Sequence, residues 1–448
     1  MVVPASPSLH PPGLLVLHGN RLEWLADAVA HWLAAHPLPP LAPEIMLVPS
    51  NGMAEWLKMN LAQRWGVCAA SQVELPARFI WRLYRQVLGA HTVPFESALD
   101  KAPLTWRLMQ GLAAWADEDA FAPLAAYLGQ GAQAATRRWQ LAQTLADLFD
   151  QYQMYRVDWL NDWAAGRDLL QKPQGSSSPL PEDQAWQAEL WRRVLGTVTE
   201  LADQHGLRPE VHRRAIAALR GSEPTAQSLP SRVLLFGTTH LPASTLDLLA
   251  ALATRIPVML ALPNPCSVYW GDIIDGRELL RATAKRHQRS ASDLSAVPLE
   301  QMHAHAHPLL AAWGRQARDL VRQLDAFDES QRLQAALDVP RIDLFDDSPA
   351  DSLPLLGQVQ AHIRDLRPLH EHPSVTLADA DQSIVFRRCH SLVRELEVLQ
   401  DHLLSLMAMP GSEPLHPRDM VVMVPDIAAA APAIRAVFGA VPRHIHAL

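Results

Sequence analysis

The stretch LLVLHGNRL, residues 14–22, decides the architecture: an apolar run of strand type passes through a Gly-Asn-Arg turn into a helical pattern that begins at Leu22. The stretch EIMLVPSNGMAEWL, residues 44–57, repeats the arrangement, with its helix starting near Asn51. Two such β-α units in succession predict a parallel sheet with helices on its faces. Strand character returns at 232–237 (RVLLFG) and 256–262 (IPVMLAL), each bounded by turn residues. Between 91 and 225 it vanishes, and residues such as Leu141, Leu145, Leu148, Tyr152 and Tyr155 recur at helical spacing. The sequence therefore predicts an α/β domain formed by 1–90 and 226–270, interrupted by a helical insertion over 91–225.

Residues 271–375 read as mostly helical, with polar breaks at Asp346-Asp347-Ser348-Pro349 and from Pro368 to Pro373 that have the composition of linkers. Over 376–448, a strand at Ser383–Cys389, a helix at 391–405 and a strand at 420–424 predict the start of a second α/β domain. One β-α-β start cannot cover both faces of a sheet, so the sequence reads as a fragment.

Composition narrows the function classes. At 448 residues the chain is too long for one ordinary core, and 49% hydrophobic with 19% charged residues is a globular mixture. A net charge of -8 argues against a free-standing nucleic-acid binder with a broad basic surface, so any DNA contact has to be local or shared with a partner. Cys68, Cys266 and Cys389 form no CxxC pair, which indicates neither a zinc site nor a disulfide framework and fits a reducing cytoplasm. The N-terminus lacks a signal-peptide pattern, and no run of 18 apolar residues predicts a membrane span. His303, His305 and His307 could ligate a metal, but no carboxylate or cysteine joins them at ligand spacing, and a polar loop is the simpler reading.

The chemistry of a nucleotide-binding domain is missing where it should stand. After the first strand, GxxxxGK[ST] would supply amides, a lysine and a magnesium-holding hydroxyl; here the sequence is Gly19-Asn20-Arg21-Leu22. At the end of the later strand, where a carboxylate would hold the metal, Gly237 is followed by Thr238 and Thr239. Neither an ATPase nor a nuclease site is predicted. The turn Pro49-Ser50-Asn51-Gly52 is more suggestive, because a helix N-terminus there exposes backbone amides to an anion such as a phosphate, although an ordinary cap reads the same way.

With these residues in view, the chain resembles the RecC family, the gamma subunits of exodeoxyribonuclease V. The resemblance is carried by HGNRLEWL (18–25), LVPSNGMAEWLKMNLAQRWG (47–66), LPARFIW (75–81), ADLFDQYQMYRVDWL (146–160), QAWQAELW (184–191) and LPSRVLLFG (229–237). It continues through NPCSVYWGDI (264–273), HPLLAAWGRQARDL (307–320), CHSLVRELEVL (389–399) and PRDMVVMVPDI (417–427), in family order along nearly the whole chain. The resemblance implies a degenerate superfamily 1 helicase-like (RecA-like) domain that has lost its ATPase motifs, which agrees with the missing lysine and acid. It also implies assembly with RecB and RecD subunits, which bind the ATP and magnesium that this chain does not. Double-stranded DNA ends and single-stranded DNA are the implied substrates: the subunit splits the duplex, channels the strands and scans the 3′ strand for the Chi hotspot. A pure assembly scaffold, with DNA contact elsewhere, is the competing reading.

By resemblance, the scanning tunnel is lined at Leu75, Trp81, Asp147, Leu148, Asp150, Gln151, Arg156 and Arg213. Pro49, Asn51 and Glu55 fall at tunnel positions where enterobacterial members carry Gln, Thr and Gln, a departure that bears on which sequence is read. Arg394, Glu395 and Glu397 resemble a helicase motif opening the second domain, with a structural ion pair as the alternative. Chemically, Trp81 can stack on an unpaired base, an arginine can fork onto guanine or phosphate, and Asp147 or Asp150 can accept from a cytosine amino group. The plain alternatives are Trp81 and Leu148 as core residues, and Asp147 and Arg156 as solvated ion partners.

Overall fold

The centre of the sheet is built from runs that the sequence makes apolar on both sides. In the computed structural model, β1 (Gly13–Gly19), β2 (Glu44–Leu47), β3 (Ser71–Glu74), β6 (Val233–Phe236), β7 (Pro257–Pro263) and β8 (Asp343–Leu344) form one six-stranded sheet in the order β3-β2-β6-β7-β1-β8. Every pairing in it is parallel. The structure describes residues 11–39, 42–129, 133–171, 177–198, 207–271, 273, 307–325, 327, 339, 342–350, 353–373, 378, 380–408 and 415–439.

Alternation along each strand sends its side chains to two different cores. On one face, Leu15 and Leu17 of β1, Met46 of β2, Phe236 of β6 and Met259 of β7 pack against α1 (Leu22–Ala35) and α2 (Asn51–Trp65). On the other, Val16, Leu47, Leu235 and Leu260 meet α3 (Pro76–Leu88) and the helices Arg208–Arg220 and Ala243–Ala253. Between α3 and helix Arg208–Arg220 the chain leaves the sheet. There α4 (Lys101–Trp115), α5 (Ala122–Leu128), α6 (Ala134–Tyr155), α7 (Val157–Ala164) and α8 (Ala185–Gly196) enclose a separate core around Leu108, Phe149, Trp163 and Trp191.

The α/β architecture is the one the sequence predicts, with local differences. Strand β3 reads SQVE and β8 spans two residues, too polar or too short to register as strands. Within 91–225, β4 (Leu169–Gln171) and β5 (Ser177–Pro179) pair antiparallel in a stretch read as purely helical. Residues 346–349 are no free linker: Asp and Ser also build turns, and Asp346 is tied into the domain through Arg21, Asn20, Ser348 and Arg364. His303 and His305 lie outside the described residues; His307 is 3% exposed and caps helix Pro308–Trp313, its Nδ1 accepting from the Leu309 amide.

Backbone contacts divide the chain into two units, 1–352 with 359–374, and 353–358 with 375–448. In the second, helices Leu392–Ala408 and Ile427–Phe438 pack together, the latter capped by Asp426 accepting from the Ala428 and Ala429 amides. The strands expected at Ser383–Cys389 and 420–424 do not form: both segments run without ladder partners among the described residues. An apolar run becomes a strand only when another backbone satisfies its hydrogen bonds, and among the described residues no such partner stands beside them. Arg394 and Glu397 make an exposed ion pair 3.0 Å apart, while Glu395 stands in the first turn of the same helix. Among the described residues, no helix is long and apolar enough to cross a membrane.

The lower ends of β2 and β6 are locked by Arg232, 5% exposed, which forks onto the Glu44 carboxylate and lies over the Trp32 ring at 4.7 Å. Removing one partner strands a buried charge. Arg232→Ala should therefore cost about 3–5 kcal/mol of unfolding free energy in urea titration, and Arg232→Lys should restore little, because an ammonium cannot reproduce the two-pronged contact. A loss within the range of an exposed pair would contradict the assignment.

Candidate nucleic-acid interface

At the carboxyl end of β1, where a parallel sheet of this type would receive a nucleotide, the chain fills the space with its own groups. A Cβ on Gly19 would stand 2.8 Å from the Leu344 carbonyl oxygen, so β8 closes directly over the turn. Arg21 pairs with Asp346, and the Asp346 amide donates to Asn20 Oδ1 at 3.1 Å. The Asp346 carboxylate also accepts from the Ser348 amide at 3.0 Å and the Ser348 hydroxyl at 2.6 Å. These bonds, first those from Ser348 and then that from Arg21, hold its pKa down to about 2. Across the sheet, β6 is followed by Gly237, whose φ is 73° and which lies against Met53, and by the buried hydroxyl of Thr238. Phosphate lysine and metal carboxylate are both lacking here.

The second turn is a formed helix N-terminus. Ser50 Oγ accepts from the Met53 amide at 3.2 Å, and Pro49, Asn51 and Gly52 are exposed in front of it. Trp56 stacks on Phe236 with ring centroids 6.0 Å apart, anchoring the start of α2 to the end of β6. Glu55 faces solvent and pairs with Lys58 at 3.2 Å.

A cavity of about 290 Å³ lies where α3, α6 and the helices Arg208–Arg220 and Ala243–Ala253 meet. Trp81 and Asp150 line it together. Arg208 joins them: its guanidinium bonds Asp150 at 2.9 Å and Asp100 at 2.7 Å, and lies 6.0 Å from the Trp81 ring centroid. On the same wall, Tyr84 and His212 share a 2.8 Å hydrogen bond. Burial raises the tyrosine, against the opposing pull of Arg208, and lowers the histidine, against that of Asp247, so both partners are held toward their neutral forms. Ser244 donates to the Met154 carbonyl at 3.1 Å and ties the insertion to the sheet domain.

The other candidates fall into groups. Asp147, Leu148 and Gln151 share α6 with Asp150; Asp147 pairs with Lys101, Gln151 is exposed and Leu148 is half-buried. Leu75, 39% exposed, caps α3 six residues before half-buried Trp81. Arg213 lines an adjoining cavity, pairs with Glu210 at 2.6 Å and keeps 70% of its side chain exposed. Arg156 is held by its neighbours, forking onto Asp158 at 3.1 and 2.8 Å, donating to the Gln171 carbonyl and stacking 3.8 Å from the Trp159 ring centroid. Pro49, Asn51 and Glu55 line neither cavity. Sequence reasoning missed Arg208 and His212, although an i, i+4 basic pair behind Pro209 at a helix start was the available signal.

A parallel α/β domain with the turns of a nucleotide-binding motor but neither its lysine nor its carboxylate is a degenerate helicase-like domain. The family model described as RecC, N-terminal domain, matches residues 14–366, and the chain belongs to the RecC family. It is 35% identical over 443 residues to the RecBCD enzyme subunit RecC of Escherichia coli strain K12, covering 96% of this chain and 38% of that protein. The corresponding figures for the Haemophilus influenzae subunit are 32% over 455 residues, 95% and 39%. For the Mycolicibacterium smegmatis subunit they are 34% over 435 residues, 95% and 34%. The chain thus spans roughly two-fifths of the length of these curated relatives or less.

The Asp346 clasp predicts a pH dependence. A carboxylate whose pKa is depressed by folding stabilises the fold fully above its ordinary value near ~3.9, and the contribution is lost as pH falls through about 2. The difference in urea midpoint between the native chain and Asp346→Asn should be full near about pH 5 and shrink steadily on acidification. A difference independent of pH would rule the clasp out.

Proposed function

We propose that this chain is the N-terminal part of a non-catalytic subunit of a RecBCD-type helicase-nuclease acting in recombinational repair of double-strand breaks. In this reading it holds RecB-type and RecD-type motor subunits, splits duplex DNA, channels the single strands and scans the 3′ strand for a Chi-type hotspot. The relatives' shared name, RecBCD enzyme subunit RecC, supports membership of such a complex.

The observation that carries the scanning role is the cavity joining Trp81, Asp150 and Arg208. Its volume, near the lower end of the ~300–1,000 Å³ typical of ligand pockets, suits one extruded base rather than a duplex. An unpaired base stacks on Trp81, while Asp150, oriented by Arg208, presents a carboxylate oxygen to an exocyclic amino group. Arg213 serves the backbone. Its pair with Glu210 is solvent-exposed and so weakly held that a phosphate can displace it. The cap at Ser50 offers the amides in front of α2 to a phosphate of the same strand.

Two outcomes test this. The isolated chain should show no DNA-stimulated ATP turnover above background; turnover abolished by Arg21→Ala would overturn the non-catalytic assignment. In a complete three-subunit complex, Trp81→Ala and Asp150→Asn should leave unwinding speed unchanged while weakening hotspot response, each contact being worth about 1–3 kcal/mol. A strand-resolved nuclease assay reads both quantities. An unchanged hotspot response in both variants would favour a scaffold with DNA contact elsewhere.

A further inference from the structure

Trp106 on α4 and Trp139 on α6 form a ring pair, centroids 5.0 Å apart and planes at 49°, outside every buried cluster. Trp106 is 64% exposed and leaves a large ring face open to solvent. The helical stretches that carry the pair, Lys101–Trp115 and 134–146, contain no Asp or Glu. Helix α4 carries Lys101 and Arg107 with no Asp or Glu, and α6 carries Arg137 and Arg138 with none before Asp147. Asp147 is matched by Lys101. Arg107 donates to the Ala98 and Thr197 carbonyls, and Arg137 and Arg138 have no carboxylate partner among the described residues. In a chain of net charge -8 this is a local excess of positive charge beside the exposed ring of Trp106 and the half-buried ring of Trp139.

The pair is also aligned with the scanning candidates. Trp139, Gln143, Asp147 and Gln151 recur every four residues and so lie on one stripe of α6. At 1.5 Å per residue the stripe runs about 18 Å, room for several unstacked nucleotides. Its side chains are an aromatic ring, two amides and one carboxylate. The next acids past α4, Asp117 and Asp119, stand beyond the helix end, and Glu118 is paired with Arg193 at 2.7 Å.

We infer that Trp106 and Trp139 form a second, sequence-tolerant stacking platform for single-stranded DNA, holding the strand next to the cavity that reads it. Aromatic faces accept any base, and the flanking guanidinium groups neutralise the backbone. This inference rests on the reading that a single strand passes the Trp81 cavity.

The test uses the complete three-subunit complex and a single-stranded oligonucleotide carrying iododeoxyuridine, photo-crosslinked and mapped by mass spectrometry. Crosslinks are expected at Trp106 or Trp139 as well as at Trp81. Trp106→Gln with Trp139→Gln should weaken oligo(dT) binding about tenfold, an effect of the size expected from losing base stacking. Trp106→Phe with Trp139→Phe should retain most of the affinity and guards against a folding defect. Arg137→Gln with Arg138→Gln should lower the salt dependence of binding by about one to two phosphate contacts. Crosslinks at Trp81 alone, with affinity unchanged in the Gln variants, would overturn this platform and leave the scanning cavity standing. Absence of crosslinks at all three tryptophans would overturn both. Loss of a partner subunit in the Gln variants, with DNA affinity intact, would make the pair a protein interface and overturn the inference.

Discussion

A parallel sheet has to be buried on both faces, and the rest of this structure follows from that requirement. One face is covered by α1 and α2, directly after the strands that precede them. The other is covered by α3 and by helices Arg208–Arg220 and Ala243–Ala253, which the chain reaches only after building the separate core of the insertion. The insertion is thereby rooted in the covering layer of the sheet. The cavity containing Trp81, Asp150 and Arg208 forms at that root, from segments that only folding brings together.

The same frame explains how a motor-like domain can lose its chemistry and keep its shape. Hydrophobic packing of the strands does not depend on the turn at Gly19, and the space beyond that turn is closed by β8 and the Asp346 clasp. Arg21, standing where a phosphate-binding turn would act, is neutralised within the chain. The start of α2 remains capped and exposed, so the part of the sheet edge suited to an anion is retained while the part suited to a nucleotide is filled.

Much of the fold was legible because β1, β2, β6 and β7 are almost wholly buried runs whose residue types leave few alternatives. What was illegible has physical causes. The polar strand SQVE gains its identity from pairing with β2, and β8 from lying beside His18 and Gly19. Residues 383–389 and 420–424 have strand composition without a pairing partner among the described residues. The Asp-Asp-Ser-Pro segment looked like a linker because turn chemistry and linker composition overlap. At the candidate site, single residues such as Trp81 and Asp150 could be named from resemblance. Their connection through Arg208, which lies 58 residues from Asp150 and 108 from Asp100, is a fact of tertiary structure alone.

The central claim is that an unpaired strand is read at the root of the insertion while no nucleotide is handled at β1. Electron cryomicroscopy of the complete three-subunit complex on forked DNA, with a non-hydrolysable ATP analogue present, tests both halves in one map. The account predicts single-strand density between α3, α6 and helix Arg208–Arg220, with a base against Trp81, and the Arg21–Asp346 clasp intact. Analogue density at Gly19–Arg21, or a strand path that avoids this cavity, would contradict it.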